Sequence, residues 1–406
     1  MNRQGVLNQS GYSRLWARLN KVVQKTHDRY KGKPYFPIGT KRPIYTYDLS
    51  KDIPEEEIKF FRLDTTAPDN ATSVMAVGQS GTQKTTLIKT LTYYNSLLPK
   101  TKIGILDLKG SSRDWEMVNY PHSNKGTLYN ESNTMSIYAG CPSFSIKGMP
   151  ENMKEKINKM NLKPQDFADM NVLTGLGFSP IAKQHLFKML KKGLSPQIIL
   201  KLVEKLYSKK KLVKSTYENL SLILDNMYRQ EFLADDNFFD IDKIWSNGSH
   251  WALGFNNKET EYLSVYVDKI LTKVFDRANT TGRKERYWII VDDCQKAFGL
   301  DASKYPSVQT GIDSLTQWRF CGINMLLAIQ SPGLLDKEMY SDIKHFFIYR
   351  TGQLGTLANY IPNKEIIEQS RTLMFQPENF VSECIHVFPD RHRYERFFPC
   401  NSPIAN

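Results

Sequence analysis

The chain has 406 residues, which is enough for one large domain or two medium ones, each with its own core. Its content of 40% hydrophobic and 12% aromatic residues excludes a largely disordered protein. The formal net charge of +13 favours a nucleic acid or an anionic membrane as partner, with a generic basic surface as the alternative.

Five scattered cysteines without a C-x-x-C pair indicate neither a zinc site nor a disulfide framework, and they favour a reducing, intracellular setting. No apolar run of about 18 residues predicts a membrane span, and the N-terminal sequence lacks the apolar core of a signal peptide. We therefore expect a cytoplasmic protein, or a virion-associated one if the chain is viral.

Residues 1–70 are polar and basic, and we expect a basic arm or a small helical region there. Leu15, Leu19, Val22 and Val23 follow helical spacing among basic residues, which predicts a docking helix with a solvated face. A nucleic-acid contact is the alternative for this segment.

The pattern changes at SVMAVG (73–78), which predicts a buried strand that runs into a glycine loop. LIKTLTYYNSLL (87–98) predicts a helix, and KIGILDLKG (102–110) predicts a second buried strand with Asp107 near its end. Strand, loop, helix and strand form a βαβ unit with a parallel, right-handed crossover.

Lysine-rich segments with Ser or Pro start signals predict a helical insert over residues 146–245. Its charge run KLYSKKKLVK (205–214) is either a solvated face or a DNA contact. The core is accordingly assigned to residues 71–145 and 246–406. Further strands are predicted at 249–255, 287–293, 323–332 and 345–352, followed by a hairpin over 383–398. Apolar strands that alternate with helices predict an α/β fold with a mostly parallel sheet.

The loop GQSGTQKTT (78–86) lies where a phosphate-binding loop is expected, between a buried strand and a helix. Glycines let backbone N–H groups surround phosphate oxygens, and the helix N-terminus adds its positive dipole end. Lys84 would reach the β- and γ-phosphates of ATP, and Thr85 would offer its hydroxyl to Mg²⁺. The candidate nucleotide-binding residues are Gly78, Gln79, Ser80, Gly81, Thr82, Gln83, Lys84, Thr85 and Thr86.

Gln83 departs from the pattern G-x-x-x-x-G-K-[ST], because it occupies the second glycine position. Either the loop tolerates this side chain, or it binds nucleotide poorly and is a structural relic. We favour tolerance because Lys84, Thr85 and the two aspartates of IIVDD are all present.

Polar residues also follow the other predicted strands, at the sheet edge where ligands of open parallel sheets bind. Asp292 is a candidate Mg²⁺ ligand, and Asp293 is a candidate for orienting or deprotonating the attacking water. Gln330, Arg350 and Asp107 are further candidates at strand ends. Their structural alternatives are a strand-end cap for Gln330, a salt bridge for Arg350 and a turn cap for Asp107.

Three stretches together resemble HerA/FtsK-type P-loop ATPases, which include conjugative coupling proteins and viral genome-packaging relatives. They are ILDLKGSSRDW (105–115), IIVDDCQKAF (289–298) and the segment from WRFCG to YRTG (318–352). Their order also matches the family, and the resemblance covers residues from about 72 to 398. The segment around Gln330 is its most specific part.

The resemblance implies a RecA-like P-loop NTPase core with ATP and Mg²⁺ as ligands. It implies a ring-shaped homo-hexamer that hydrolyses ATP between subunits and moves double-stranded DNA through a central channel. By position, Lys84, Thr85 and Asp292 match nucleotide and Mg²⁺ ligands, Asp293 matches a catalytic carboxylate that is more often Glu, Gln330 matches a γ-phosphate sensor, and Arg319 matches an arginine that projects into the neighbouring subunit. Arg350 could take that last role, and Arg319 could be an ordinary surface arginine.

The sequence also departs from the family. No full N-terminal β-barrel, membrane span or winged helix is evident, so we expect a compact motor core that relies on a nuclease, portal or membrane-channel partner. Two alternatives stay open. One is a secretion or pilus motor that acts on protein, and the other is a nucleotide-binding or DNA-binding subunit whose loop Gln83 and Asp293 have weakened.

Overall fold

A computed structural model provides the structure of the chain. It describes residues 29, 33, 35–43, 46–48, 50–62, 72–96, 98–108, 135–140, 157–160, 162–229, 239–246, 250–255, 260–282, 284–299, 301, 304–352, 354–376 and 381–399.

The strands among these residues form one twelve-stranded sheet and one two-stranded sheet. In chain order they are β1 (Tyr35–Thr40), β2 (Ile58–Arg62), β3 (Val74–Val77), β4 (Thr101–Asp107), β5 (Met135–Gly140), β6 (Ile157–Met160), β7 (His250–Phe255), β8 (Arg286–Asp292), β9 (Ile323–Ile329), β10 (His345–Tyr349), β11 (Phe375–Gln376), β12 (Val381–Ser382), β13 (Cys384–Val387) and β14 (Tyr394–Pro399). The large sheet has the order β2-β1-β14-β13-β10-β3-β9-β8-β4-β7-β5-β6, and β11 pairs with β12.

The large sheet is parallel in its centre and antiparallel at one side. All neighbours from β10 through β3, β9, β8, β4, β7 and β5 to β6 pair in parallel. The pairs β10–β13, β13–β14, β14–β1 and β1–β2 are antiparallel. The predicted α/β fold with a mostly parallel sheet is therefore confirmed.

Helices cover both faces of the parallel region. They are α1 (Lys84–Ser96), α2 (Met170–Gly175), α3 (Pro180–Lys191), α4 (Pro196–Ser208), α5 (Lys214–Arg229), α6 (Ile241–Ser246), α7 (Thr260–Thr281), α8 (Gln295–Phe298), α9 (Pro306–Thr316), α10 (Glu338–Ser341) and α11 (Lys364–Thr372). No helix among the described residues combines the length and the apolarity that crossing a membrane requires.

The central strands read as continuous apolar runs because both of their faces are buried. In β3, Val74 and Ala76 pack into one apolar cluster with α1, whereas Met75 and Val77 pack into the other cluster with α7 and α9. The two-residue alternation of a strand thus supplies both cores from one short segment. The polar residues that could bind a ligand therefore lie at the strand ends.

The structure differs from the expectation for the N-terminal region. Within the described part of residues 1–70, β1 and β2 pair antiparallel, and β1 adds to β14 at the side of the large sheet. Phe36 and Phe61 are buried in the apolar cluster that α1 covers. The polar composition of the region concealed these two strands, because β1 joins the sheet through β14, which comes from the other end of the chain. The predicted helix at 15–30 lies outside the described residues, apart from Arg29.

The described part of the predicted insert is mainly helical, and β6, which lies within its predicted bounds, belongs to the large sheet. Within these bounds, Pro164–Phe167 forms a short 3₁₀ turn. The start signals of α3 and α4 are as predicted: Ser179 and Ser195 accept hydrogen bonds from N–H groups of the first turn of each helix, and a proline follows each cap. The proposed domain boundaries themselves stay a prediction.

Candidate functional site

Several candidate residues meet at the carboxyl edge of the parallel strands. The register places Val77, the last residue of β3, beside Ile329 of β9, and it places Asp107 of β4 beside Asp292 of β8. The residues that follow these strands therefore share one edge of the sheet, as predicted for a ligand site.

The loop after β3 is fastened to both neighbouring strands. The Gly78 N–H donates to the Ile329 carbonyl at 3.2 Å, and the Gln79 N–H donates to the Arg350 carbonyl at 3.3 Å. A Cβ atom at Gly78 would lie 2.6 Å from Cβ of Tyr349, so this position accepts only glycine. Gly81 has a φ of +80°, which also favours glycine.

Gln83 adopts a left-handed backbone conformation with a φ of 64°. Glycine is usual at this position of a phosphate-binding loop, and the geometry gives the reason, because L-residues with a Cβ adopt this conformation at a cost. The Gln83 carbonyl accepts the N–H of Leu87 at 3.2 Å and the hydroxyl of Tyr349 at 3.4 Å. The loop and its helix thus form with Gln83 in place.

Lys84 begins α1 and points its ammonium group back into the loop. Its Nζ donates to the carbonyls of Gly78 at 2.6 Å and Gln79 at 2.8 Å, and the residue is only 7% exposed. A buried ammonium requires such partners. The arrangement holds a positive charge at the centre of the glycine loop, where an anion would be attracted.

The next residue connects the loop to β8. The Thr85 hydroxyl donates to Oδ2 of Asp292 at 3.1 Å, and Asp292 is only 1% exposed. A hydroxyl beside a carboxylate offers the hard oxygen ligands that Mg²⁺ prefers, so the donor set fits this ion. The described residues contain no group of three or more His, Cys, Asp or Glu side chains placed to hold a metal. Such a group is not required, because Mg²⁺ keeps waters and binds substrate phosphates.

Asp293 and Gln330 are brought into direct contact. Oδ1 of Asp293 accepts a hydrogen bond from Nε2 of Gln330 at 2.7 Å, and Asp293 is 5% exposed. Two residues that the sequence analysis missed join them: Nε2 of Gln295 donates to the same oxygen at 2.8 Å, and Nζ of Lys296 lies 3.5 Å from Oδ2. Asp293 has a φ of 64°, and this left-handed turn directs α8 back beside the carboxylate. The sequence gives no clear signal of that turn.

Asp107 and Arg350 occupy different positions around this centre. Asp107 is buried beside Asp292, and the N–H of the following Leu108 donates to the Asp292 carbonyl at 3.1 Å. Arg350 contributes its backbone carbonyl to the loop, while its residue is exposed to solvent. Asp107 therefore lies close to the candidate Mg²⁺ ligands, whereas a role for the Arg350 side chain stays a prediction.

Arg319 lies at the other edge of the sheet. It belongs to a 3₁₀ turn (Trp318–Cys321) that precedes β9, whereas Gln330 follows β9. Seven strand residues separate the two edges by about 20 Å. Arg319 pairs with Asp342 at 2.9 Å and lies over the ring of Phe320 at 5.0 Å. It is thus not part of the site within its own chain.

Cys294 lies between the acidic strand end and α8, but it does not suit nucleophilic chemistry. Burial raises the pKa of its thiol well above the usual range, and the charges of Asp293 and Asp292 act in the same direction. The thiolate is the reactive form, so this cysteine is inert at neutral pH.

No protein-family model and no curated protein matches the sequence. Among solved structures, the chain is similar to VirB4 of Thermoanaerobacter pseudethanolicus, with a TM-score of 0.53 and 11% identity over 90% of this chain and 96% of that one. At this identity the match shows the fold alone, and the predicted RecA-like P-loop NTPase fold is confirmed at that level.

Two further structures resemble the chain less closely. The plasmid coupling protein TrwB in complex with ADP and Mg²⁺ has a TM-score of 0.46 and 13% identity over 83% of this chain and 79% of that one. The genome packaging NTPase B204 from Sulfolobus turreted icosahedral virus 2, in complex with AMPPCP, has a TM-score of 0.36 and 10% identity over 82% of this chain and 100% of that one. The fold assignment depends on the VirB4 match.

Proposed function

We propose that this chain, which has the fold of HerA/FtsK-type P-loop ATPases, hydrolyses ATP with Mg²⁺ and uses the energy to move double-stranded DNA. The observation that carries the proposal is the convergence of Lys84, the Thr85–Asp292 pair and the Asp293–Gln330 pair at one sheet edge. These groups are the ones that phosphoryl transfer to water requires: a cation for phosphate, a metal-binding pair and a carboxylate for the water.

The glycine loop and Lys84 would bind the phosphate chain. The Lys84 ammonium already lies against the carbonyls of Gly78 and Gln79, so it exchanges these contacts for phosphate oxygens when ATP enters. Because the loop holds the charge in place beforehand, little reorganisation is needed on binding.

Thr85 and Asp292 would hold the metal. Mg²⁺ held by these two residues would supply positive charge that neutralises the phosphates of the nucleotide. Asp292 is fixed by its strand and by the Thr85 hydroxyl, so the ligand oxygens keep a defined direction.

Asp293 would take the proton of the attacking water or orient that water. Gln330 donates to its carboxylate. In this proposal the same amide would contact the γ-phosphate, so that it senses both the substrate and the base. The aspartate side chain is one carbon shorter than the more usual glutamate, and its backbone adopts a left-handed conformation.

DNA is favoured as the moved substrate by charge. The net charge is +13, and the helices α3 to α5 expose many lysines that could contact regularly spaced phosphates without reading sequence. These exposed residues are Lys188, Lys191, Lys192, Lys201, Lys205, Lys209, Lys210, Lys211 and Lys214. In this proposal the chain assembles as a homo-hexamer, with Arg319 reaching a neighbour's site, and it works with a nuclease, portal or membrane-channel partner.

The test is ATP turnover by the purified chain with and without double-stranded DNA at low salt. We expect turnover that DNA stimulates, that Lys84→Ala abolishes, and that Asp293→Asn lowers by about 10²-fold or more with ATP binding retained. Lys364→Ala, which removes an exposed lysine at the start of α11, serves as the control and is expected to keep full activity.

The outcomes separate the open alternatives. Turnover without DNA stimulation or salt-sensitive DNA binding indicates a motor that acts on protein. ATP binding without turnover in the native chain indicates a nucleotide-binding subunit that is not an enzyme. Either result overturns the proposal.

A further inference from the structure

One carboxylate oxygen of the site receives two side-chain amides. Oδ1 of Asp293 accepts from Nε2 of Gln295 at 2.8 Å and from Nε2 of Gln330 at 2.7 Å. The two donors belong to different elements: Gln295 begins α8, and Gln330 follows β9. The carboxylate is thus held between two elements of the fold.

The amide of Gln295 is fixed at both of its ends. While its Nε2 donates to Asp293, its Oε1 accepts the backbone N–H of Gln330 at 3.4 Å. This pair of contacts defines the orientation of the amide, because the reverse orientation would place two donors or two acceptors against each other. Gln295 therefore connects the carboxylate to the backbone of the residue that carries the second amide.

Asp293 depends on such support. Its backbone is left-handed and its side chain is almost fully buried, so bulk water is a poor substitute for a lost donor. Lys296 lies 3.5 Å from the other oxygen, but its side chain is 42% exposed, and a partly exposed ion pair contributes little. The two amides are the short contacts to this carboxylate.

We infer that Gln295 is a positioning residue that keeps the Asp293 carboxylate aimed during turnover, an inference that rests on the proposed ATPase function. Gln330 serves two anions in that function, the carboxylate and the γ-phosphate, so its bond to Asp293 weakens when ATP is bound. Gln295 contacts Asp293 and the Gln330 backbone, and this inference assigns it no contact with ATP. It preserves the direction of the carboxylate at the moment when Gln330 is shared.

Two replacements of similar size distinguish what Gln295 contributes. Gln295→Met removes both contacts, and Gln295→Glu keeps an acceptor for the Gln330 N–H but places a second carboxylate against Asp293. We expect both variants to lose about 10- to 100-fold in kcat, since a hydrogen bond to a charged group is lost, with KM for ATP nearly unchanged. Gln309→Met is the control, because Gln309 makes the same kind of bond to Asp313 on the exposed surface of α9.

Native turnover is measured first, so a native chain without turnover refutes the proposed function and this inference together. If the native chain is active and Gln295→Glu keeps the native kcat, Gln295 only supports the Gln330 backbone, and the inference is wrong. In an Asp293→Asn background, Gln295→Met should cause little further loss, because the two side chains act as one unit. A full additional loss there would also overturn the inference.

Discussion

The carboxyl edge of the central strands and the helical insert both carry charged residues, but these residues differ in how deeply they are buried. At the edge, Lys84, Asp292 and Asp293 are almost completely buried, and each has hydrogen-bond partners within the protein. On α3 to α5, most lysines are exposed on helix surfaces and on the turn that joins α4 to α5. The edge holds each charge in a buried position, whereas the insert carries most of its positive charge on exposed side chains.

This difference determines how each region responds to substitution. Replacing a buried group that has defined hydrogen-bond partners has a large effect, because the neighbouring groups also lose a hydrogen bond. An exposed lysine contributes a screened charge, so a single replacement has a small effect that depends on salt. Variants at the site should therefore act through turnover, and variants in the insert should act through DNA affinity.

The largest effect expected outside the carboxyl edge tests whether the site is complete within one chain. Arg319→Ala should lower the turnover of the assembled protein by about 10³-fold, because an arginine supplied by a neighbour neutralises charge that develops on the transferred phosphoryl group. The measurement is steady-state ATP hydrolysis, together with mass determination in solution to show that the oligomer persists.

The partner of Arg319 provides the matched control. Asp342→Asn removes the same ion pair and leaves the arginine in place. If the pair is only structural, the two variants will lose similar stability and retain similar turnover, and the proposed role between subunits is wrong. Retained turnover in Asp342→Asn beside lost turnover in Arg319→Ala supports that role.

A smaller effect is expected from the insert. Replacing Lys209, Lys210 and Lys211 on the turn after α4 by Gln should reduce the slope of log K for duplex DNA against log[salt] by about 3. Turnover without DNA should stay at the native level, because none of the three lies at the carboxyl edge. Binding is measured as a salt titration of a labelled duplex of random sequence.

Three exposed lysines outside the insert give a control of equal charge, namely Lys284, Lys337 and Lys364. If their replacement by Gln reduces the slope as much as replacement of the insert lysines, DNA binding follows net charge alone. The insert is then not a specific contact surface for DNA, and the expected difference in role between the two regions is wrong.

Much of the parallel region could be predicted because its information is local. Apolar runs such as IIVDD and the loop GQSGTQKTT each specify their own element, and the parallel arrangement then brings their ends together. The strands β1 and β2 could not be predicted in this way, since β1 pairs with β14 from the opposite end of the chain. Such pairing depends on tertiary contacts that composition does not reveal.

The candidate site shows the same limit on a smaller scale. Lys84, Thr85, Asp292 and Asp293 follow from motif positions, and the structure places them together. Gln295 was missed because its contact with the Asp293 carboxylate follows from a left-handed turn at an aspartate. A backbone conformation that few residues adopt cannot be inferred from spacing alone.

The smallest expected effect concerns Gln83, where the sequence departs from the usual loop. Gln83→Gly removes the left-handed strain of about 1–2 kcal/mol but gives the unfolded chain more freedom, so we expect a net gain of at most about 1 kcal/mol in unfolding free energy. ATP affinity should change by less than about threefold, because the loop is already formed and Lys84 is already in place. Denaturant unfolding and titration with a fluorescent ATP analogue measure the two quantities.

Gln83→Val is the matched opposite, since a β-branched residue fits this conformation poorly and should lower both the stability and the ATP affinity. A gain of tenfold or more in ATP affinity from Gln83→Gly would instead show that glutamine weakens the native loop, and the buried edge would then be less completely preorganised than its hydrogen bonds indicate.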